Sequence, residues 1–360
     1  MEEKVEEKLQ SIKGHILSRD VPPGTEKPNA TTKASMNGIA EEEKDHMGAF
    51  FDAPSYRNDF NRNALRSGNG LKSTVKLLDD NLEFSDRLQE FLLDQPDFLV
   101  VAVVGLQGTG KSTILSAIAR EDISLNDIFP RSSKEQLLIS EASTLGIDVF
   151  VSSNRVIYLD CQPFLSTALA NTEINNPGEL FKDSYISYEP PSIETSMEIK
   201  ALQLLAFVMC VCHHLILVQD WMFDTNLIRL IYIAEMLKPA IPGFEDQYEH
   251  YPNLIVVHNK VEGDAAGPAS IKLLQESYSD CFQKTRLAFS NSNGFFQGRI
   301  SDHSVNLVLL PSFGNADMTS DCVPFSFLEA FDEEIRKMRE QLFCLPWEGL
   351  TLSALTEKNW

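Results

Sequence analysis

The chain has 360 residues, 43% of them hydrophobic and 23% charged, with 52 Asp and Glu against 31 Lys and Arg and a formal net charge of −21. This is the composition of a globular chain long enough for one large α/β domain or two smaller ones. The negative excess repels a phosphate backbone and no run of Lys and Arg offers a local exception, which excludes sequence-independent binding to nucleic acid.

The N-terminal "MEEKVEEKLQ" is charged and has no apolar core, so it is not a signal peptide. Residues 1–68 mix charge blocks with "VPPGTEKPNATTK" and "RNDFNRNALRSGNG" and are expected to be a mostly disordered tail. A solubilising role is preferred there over a docking arm that orders on a partner. The stretch "LKSTVKLLDDNLEFSDRLQEFLLDQ" then places Leu77, Leu78, Leu82, Leu88 and Leu92 at helical spacing before Pro96. From there strands and helices alternate. "FLVVAVVG" is a continuous apolar run, as a strand covered on both faces should be. Helix is expected from Lys111. "GIDVFVS" and "RVIYLD" form a hairpin around a short polar turn. "LILVQD" is a strand, "LIRLIYIAEMLK" a helix stopping before Pro239, "NLIVVHNK" a strand and "SIKLLQESYSDCFQKTRLAF" a helix. "NLVLLP" is the last strand and "FLEAFDEEIRKMREQLF" the last helix.

That alternation predicts an α/β fold with a doubly wound, mostly parallel sheet of the P-loop NTPase or G-domain type, spanning residues 69–360. Its ligand crevice should lie at the carboxyl ends of the strands. Two stretches, near 163–195 and 238–252, are rich in polar residues and Pro and are expected to be surface-loop insertions.

Gly105, Gly110, Lys111 and Ser112 match G-x-x-x-x-G-K-S/T. Glycines let backbone N–H groups turn onto a β-phosphate, and the helix start adds its positive end. Lys111 supplies charge toward the β and γ positions, and Ser112 offers a hydroxyl to Mg²⁺. The candidate phosphate-binding positions are Gly105, Gly108, Thr109, Gly110, Lys111, Ser112 and Thr113. Asp160, ending "VIYLD", stands where a carboxylate would hold Mg²⁺ through water. Thr144, two residues before "GID", is either a switch residue ligating the same ion or an ordinary loop threonine.

Asn259 and Lys260 in "LIVVHNKVEGD" resemble the N-K-x-D guanine motif of G proteins, with Glu262 in place of the Asp and Asp264 two residues beyond. Guanine is the expected base, although one extra methylene weakens selectivity against adenine. Where G proteins carry D-x-x-G, this chain has "DCQP": Pro163 has no N–H to give a γ-phosphate. The next position, where many small GTPases have a water-orienting Gln, is Phe164, and Gln162 is only a displaced candidate. Binding of GDP or GTP without efficient turnover is the reading that follows, with no catalytic residue assigned. A working GTPase completed by a partner's catalytic group, and an ATP-using P-loop enzyme, are the alternatives.

The run "ALQLLAFVMCVCHHLILV" imitates a membrane span, but Gln203 and His213–His214 break it, and a buried helix running into a buried strand is expected instead. Its Cys210, Cys212, His213 and His214 imitate a zinc site, yet neighbours on one element point apart and no second ligand pair stands nearby. With Cys161, Cys281, Cys322 and Cys344 these cysteines lack regular spacing and read as buried thiols of a reducing, cytoplasmic compartment.

Taken in order, "FLVVAVVGLQGTGKS", "VIYLDCQPFLS", "LILVQDWMFD", "AEMLKP" and "LTEKNW" resemble the SMG-nine family of nonsense-mediated mRNA decay factors, over roughly Leu71 to Trp360. The chain ends where that family ordinarily continues, so a C-terminal part is expected to be missing or shortened. The resemblance implies a degenerate G domain that pairs with a second G-domain-like subunit, SMG-eight. It also implies that the pair regulates SMG-one, a phosphatidylinositol-kinase-related kinase that phosphorylates a helicase at aberrantly terminating ribosomes. In that family's pattern Gly108, Gly110, Lys111, Ser112 and Thr113 hold phosphate, and Asn259 and Lys260 lie toward the base.

Overall fold

The computed structural model describes residues 71, 73–120, 127–133, 135–136, 141–175, 192–239, 249–262, 267–287, 305–312, 325–347, 349–351 and 355–360. All of these fall within one compact unit, Asp59–Trp360. The tail expected over residues 1–68 lies outside the described residues, as does Cys322.

Among the described residues seven strands form one sheet: β1 (Val75–Leu78), β2 (Leu99–Gly105), β3 (Ile147–Val151), β4 (Val156–Cys161), β5 (His214–Gln219), β6 (Asn253–Val261) and β7 (Asn306–Pro311). Their order is β1-β3-β4-β2-β5-β6-β7. β2 runs parallel to both β4 and β5, and β6 and β7 extend the parallel part. The β3–β4 hairpin is antiparallel, as its two short runs and polar turn require. The helices are α1 (Lys111–Ala119), α2 (Thr167–Asn175), α3 (Ile193–Val211), α4 (Thr225–Leu237), α5 (Pro268–Cys281) and α6 (Phe325–Cys344).

Period-two alternation in β2 builds both halves of the core. Val100, Ala102 and Val104 face one layer, with Leu204, Leu205 and Val208 of α3 and Leu227, Leu230 and Ile231 of α4. Leu99, Val101 and Val103 face the other, with Ile114, Leu115 and Ile118 of α1 and Phe331, Ile335, Met338 and Leu342 of α6. A strand covered on both faces has no room for polar side chains, so its sequence is unbroken apolar. The "ALQLLAFVMCVCHHLILV" run divides into α3 and β5. None of the described helices is long and apolar enough to cross a membrane.

The helical spacing of Leu77 to Leu92 does not make a helix. Residues 75–78 form an edge strand antiparallel to β3, with Val75 opposite Val149 and Lys76 opposite Asp148, and Lys76 Nζ lies 3.0 Å from the Asp148 carboxylate. The Asp79 carboxylate then accepts from the N–H groups of Asn81 and Glu83, both at 2.9 Å, and turns the chain back through Leu82 at φ 63°. Only Asp86–Glu90 is helical, as a 3-10 turn. Turn formers and a partner strand outweigh the local spacing here. The region near 163–195 is likewise more than loop: α2 lies within it, and α3 opens at its end with Ser192 capping Thr195 N. α5 stops at Cys281, short of the expected stretch. Cys161 and Cys212 are buried as expected, whereas Cys344 is exposed.

The C-terminal "TEKNW" packs back on the sheet. Glu357, buried at the start of a 3-10 turn, accepts from the Arg155 guanidinium of the β3–β4 turn and from Leu93 N at 2.9 Å. The Trp360 indole N–H donates to Val211 O at 2.8 Å, fixing the end of α3.

Candidate functional site

β2 ends at the sheet's centre and hands the chain to α1 through residues 106–110. The glycines that bracket this loop, Gly105 at the end of β2 and Gly110 before α1, are required by geometry. A Cβ on Gly105 would stand 2.2 Å from Val218 O of the adjoining strand, and one on Gly110 would stand 2.4 Å from Asn259 Nδ2. Gly110 sits at φ 95° as the N-cap of α1 and offers no side chain to the first turn. The N–H groups there keep their hydrogen-bonding capacity for something else, beside the positive end of the helix. Thr109 Oγ1 donates to Leu106 O at 3.0 Å and Lys111 Nζ to the same oxygen at 2.9 Å, which closes the loop over the lysine. Burial pushes the Lys111 ammonium down to about 8, while the negative charge of Asp160 holds it up in part.

Asp160, near the end of β4, is fully buried and gathers two hydroxyls. Ser112 Oγ donates to its Oδ2 at 2.7 Å and Thr144 Oγ1 to the same atom at 3.0 Å. Its Oδ1 has no hydrogen-bond partner among the described residues. Burial raises the carboxyl to about 6, against the opposing pull of Ser112, Lys111 and Thr144. A buried carboxylate oxygen without a donor is costly unless something cationic or wet completes it. The three residues named as metal candidates from the sequence are therefore together at one corner, with Lys111 on the same helix turn.

The next residues are committed elsewhere. Gln162 is buried, its Oε1 accepting from Gly146 N at 2.8 Å, so its amide braces the start of β3. Phe164 is buried and its N–H reaches Gly105 O at 3.1 Å. Pro163 lines the cleft.

On the other side, the end of β6 is fastened to the loop. Asn259 Nδ2 donates to Thr109 O at 2.8 Å, and Lys260 Nζ reaches Gly108 O at 2.8 Å and the Asp220 carboxylate at 3.0 Å. Lys260 holds φ 58°, its N–H bonded to Asn259 Oδ1 at 2.9 Å. Glu262 is exposed and accepts from Ser312 Oγ at 3.3 Å. Asp264 lies outside the described residues. Behind the strand ends stands a polar network that sequence reading missed. His258 Nδ1 lies 3.0 Å from Asp220 O and its Nε2 2.6 Å from Tyr278 OH, which also accepts from Gln219 Nε2 at 3.0 Å. Its one visible signal is a histidine inside the apolar run "LIVVHNK".

A cavity of about 150 Å³ opens above the loop, lined by Gln107, Gly108, Gly110 and Lys111 to Thr113. Arg131, Ser132, Ala142 to Thr144 and Pro163 complete the lining, while Asn259, Lys260 and Glu262 stand outside it. Arg131 and the two serines carried no motif and were not foreseen. Far from this cleft, His213 Nδ1 accepts from Val100 N at 2.9 Å and His214 Nδ1 meets Asn253 Nδ2 at 3.3 Å, so both histidines serve the fold.

No family model matches the chain. The nonsense-mediated mRNA decay factor SMG9 of Xenopus laevis is 35% identical to it over 324 residues, 81% of this chain and 63% of the relative. The protein of that name from Salmo salar is 34% identical with the same coverage. The Caenorhabditis elegans one is 28% identical, covering 82% of this chain and 74% of its own. The chain thus spans 63% of the length of the vertebrate relatives it matches. Among solved structures, a bacterial selenocysteine-specific elongation factor, EF-Sec, matches 69% of this chain and 28% of its own at 11% identity and a TM-score of 0.35.

Proposed function

We propose that this chain, a homologue of the nonsense-mediated mRNA decay factors named SMG9 in frogs, salmon and nematodes, acts in that decay as a nucleotide-binding regulatory subunit rather than as a turnover enzyme. The observation that carries the reading is the corner made by Ser112, Thr144 and Asp160 beside Lys111, two hydroxyls and a lysine around a buried carboxylate whose Oδ1 has no partner among the described residues.

The residues present suit a nucleoside di- or triphosphate with Mg²⁺. Gly105 and Gly110 let the turn lie against β5 and the Asn259 amide, where a Cβ would meet Val218 O or Asn259 Nδ2, and Lys111 brings positive charge to it. Ser112, Asp160 and Thr144 would hold the ion, directly or through water. Bound there, the phosphates would face Lys111 and Mg²⁺ would face Asp160, which would tie the loop, β4 and the Thr144 segment together. GDP or GTP is the proposed ligand, because Asn259 and Lys260 stand at the end of β6 against the loop backbone. Turnover is disfavoured on two counts: Pro163, on the cleft wall, has no N–H, and the Gln162 amide is taken by Gly146. The fold would then use the nucleotide for stability and for shaping an interface. The partners in this reading are a second G-domain-like subunit, SMG-eight, and the kinase SMG-one, in the cytoplasm.

The test is the nucleotide content of the purified chain, read by ion exchange after denaturation, with Lys111→Ala beside it. Guanine nucleotide should be present in the wild type and lost in the variant, and hydrolysis by the isolated chain should be negligible. A ligand at about 100 times its Kd stabilises by about 2.7 kcal/mol, so the melting point should rise on adding GDP. If Lys111→Ala matched the wild type in both nucleotide content and melting point, the cradle would be misassigned.

A further inference from the structure

We infer that Arg131 is a second phosphate ligand, held by Asp127 until its guanidinium turns to the terminal phosphate of a bound nucleoside triphosphate, where Pro163 can donate nothing. The inference rests on the nucleotide reading above and adds to it a residue and a state preference.

Position comes first. Arg131 lines the same cavity as Lys111, Ser112, Thr144 and Pro163. The cation corner at Asp160 fixes which end of the cavity takes the outermost phosphate, because Thr144 and Ser112 both point there. The base-side residues Asn259 and Lys260 do not line this cavity. Ser132 Oγ donates to Ser143 Oγ at 2.9 Å, which ties the residue after Arg131 to the residue before Thr144.

Charge comes second. Asp127 is shared by two guanidiniums: Arg120 Nη2 stands 2.8 Å from its Oδ1, and Arg131 engages both of its oxygens. One carboxylate cannot neutralise two arginines, so the Arg120–Asp127–Arg131 cluster itself keeps one unit of positive charge. Arg131 can also leave without stranding Asp127, because Arg120 stays. Its side chain is 47% exposed, and an exposed ion pair of this kind holds weakly. A phosphate carries more charge than a carboxylate and offers the same planar fork two oxygens, so the exchange is favourable.

The competing explanation is that the Arg131–Asp127 pair only fastens its loop. The two accounts differ in sign. If Asp127 competes with phosphate for Arg131, Arg131→Ala weakens triphosphate binding and Asp127→Asn strengthens it. If the pair is a fastener, both variants weaken binding alike and do so for every nucleotide.

The experiment measures the affinity of the full chain for GDP and for a non-hydrolysable GTP analogue in Mg²⁺, with the adenine pair in parallel. Wild type, Arg131→Ala, Asp127→Asn and Lys111→Ala are compared. Arg131→Ala should weaken the triphosphate by about tenfold, the usual worth of one charge-assisted contact, and the diphosphate by less than about twofold. Asp127→Asn should tighten the triphosphate by about two- to threefold. Unchanged triphosphate affinity in Arg131→Ala, or parallel losses in both variants, would overturn the inference while Lys111→Ala still lost all binding. A wild type that bound neither nucleotide, or a Lys111→Ala variant that bound as well as wild type, would overturn the nucleotide reading and this inference with it.

Discussion

Lowering the pH from 8 to 5 is expected to weaken the fold through three histidines that it buries in the neutral form. His213, His214 and His258 are 3%, 0% and 0% exposed, and burial pulls them from 6.5 to about 3, about 4 and about 4. His213 illustrates the cost: its Nδ1 accepts from Val100 N, and a proton there would break that bond. A base whose folded value lies below its unfolded one binds fewer protons when folded. Its stabilisation is whole above 6.5 and shrinks as the pH falls toward the folded value. At pH 5 each of the three is neutral when folded and protonated when unfolded, so each costs about 1.5 pH units at 1.36 kcal/mol, or about 2 kcal/mol. That figure is the same for any folded value well below 5. Asp160 opposes them, since a carboxyl raised to about 6 favours the fold by roughly 1 kcal/mol over the same descent. The net loss is about 5 kcal/mol, comparable with the whole stability of many domains. Urea unfolding followed by tryptophan fluorescence at pH 8, 7, 6 and 5 measures it. His213→Gln, whose amide oxygen can still accept from Val100 N, should lose about 2 kcal/mol less than wild type over that range. Equal losses in the two proteins, or a stability that does not move with pH, would refute the argument.

Asp160→Asn should weaken nucleotide binding much more with Mg²⁺ present than with the ion chelated, as read by parallel titrations; equal losses would count against the cation corner. Gly105→Ala should lower stability by about 3 kcal/mol in chemical denaturation, because its Cβ would meet Val218 O at 2.2 Å and neither backbone can retreat within the sheet. A midpoint equal to wild type would contradict the β2–β5 register. Glu357→Ala should cost about 3–5 kcal/mol by leaving the Arg155 guanidinium buried without its carboxylate. It should also expose the C-terminal residues to carboxypeptidase, and resistance equal to wild type would mean that Trp360 alone holds the segment.

Much of the fold was legible because its signals are local. A strand covered on both faces must be apolar where it is covered, and β2 and the central runs of β5 and β6 read that way. The glycines of the G-x-x-x-x-G-K-S match declare a backbone that other residues rarely adopt, and Asp160, Asn259 and Lys260 could be picked out because each lies near the end of such a strand. What those residues touch was not legible. Thr144 read equally well as a loop threonine until β3 and β4 brought it to Asp160, 16 residues away. Arg131 belongs to no pattern and gains a place only because the chain after α1 passes over the cavity. Residues 75–78 are a strand because β3, some seventy residues later, offers unpaired backbone groups, whereas the leucine spacing alone favours helix. Glu357 meets Arg155 across 202 residues, and the His258–Tyr278–Gln219 network joins three elements. The division follows from the physics: backbone conformation and burial periodicity are properties of neighbours in sequence, while the partner of a buried polar group is decided by which distant segments the sheet order makes adjacent.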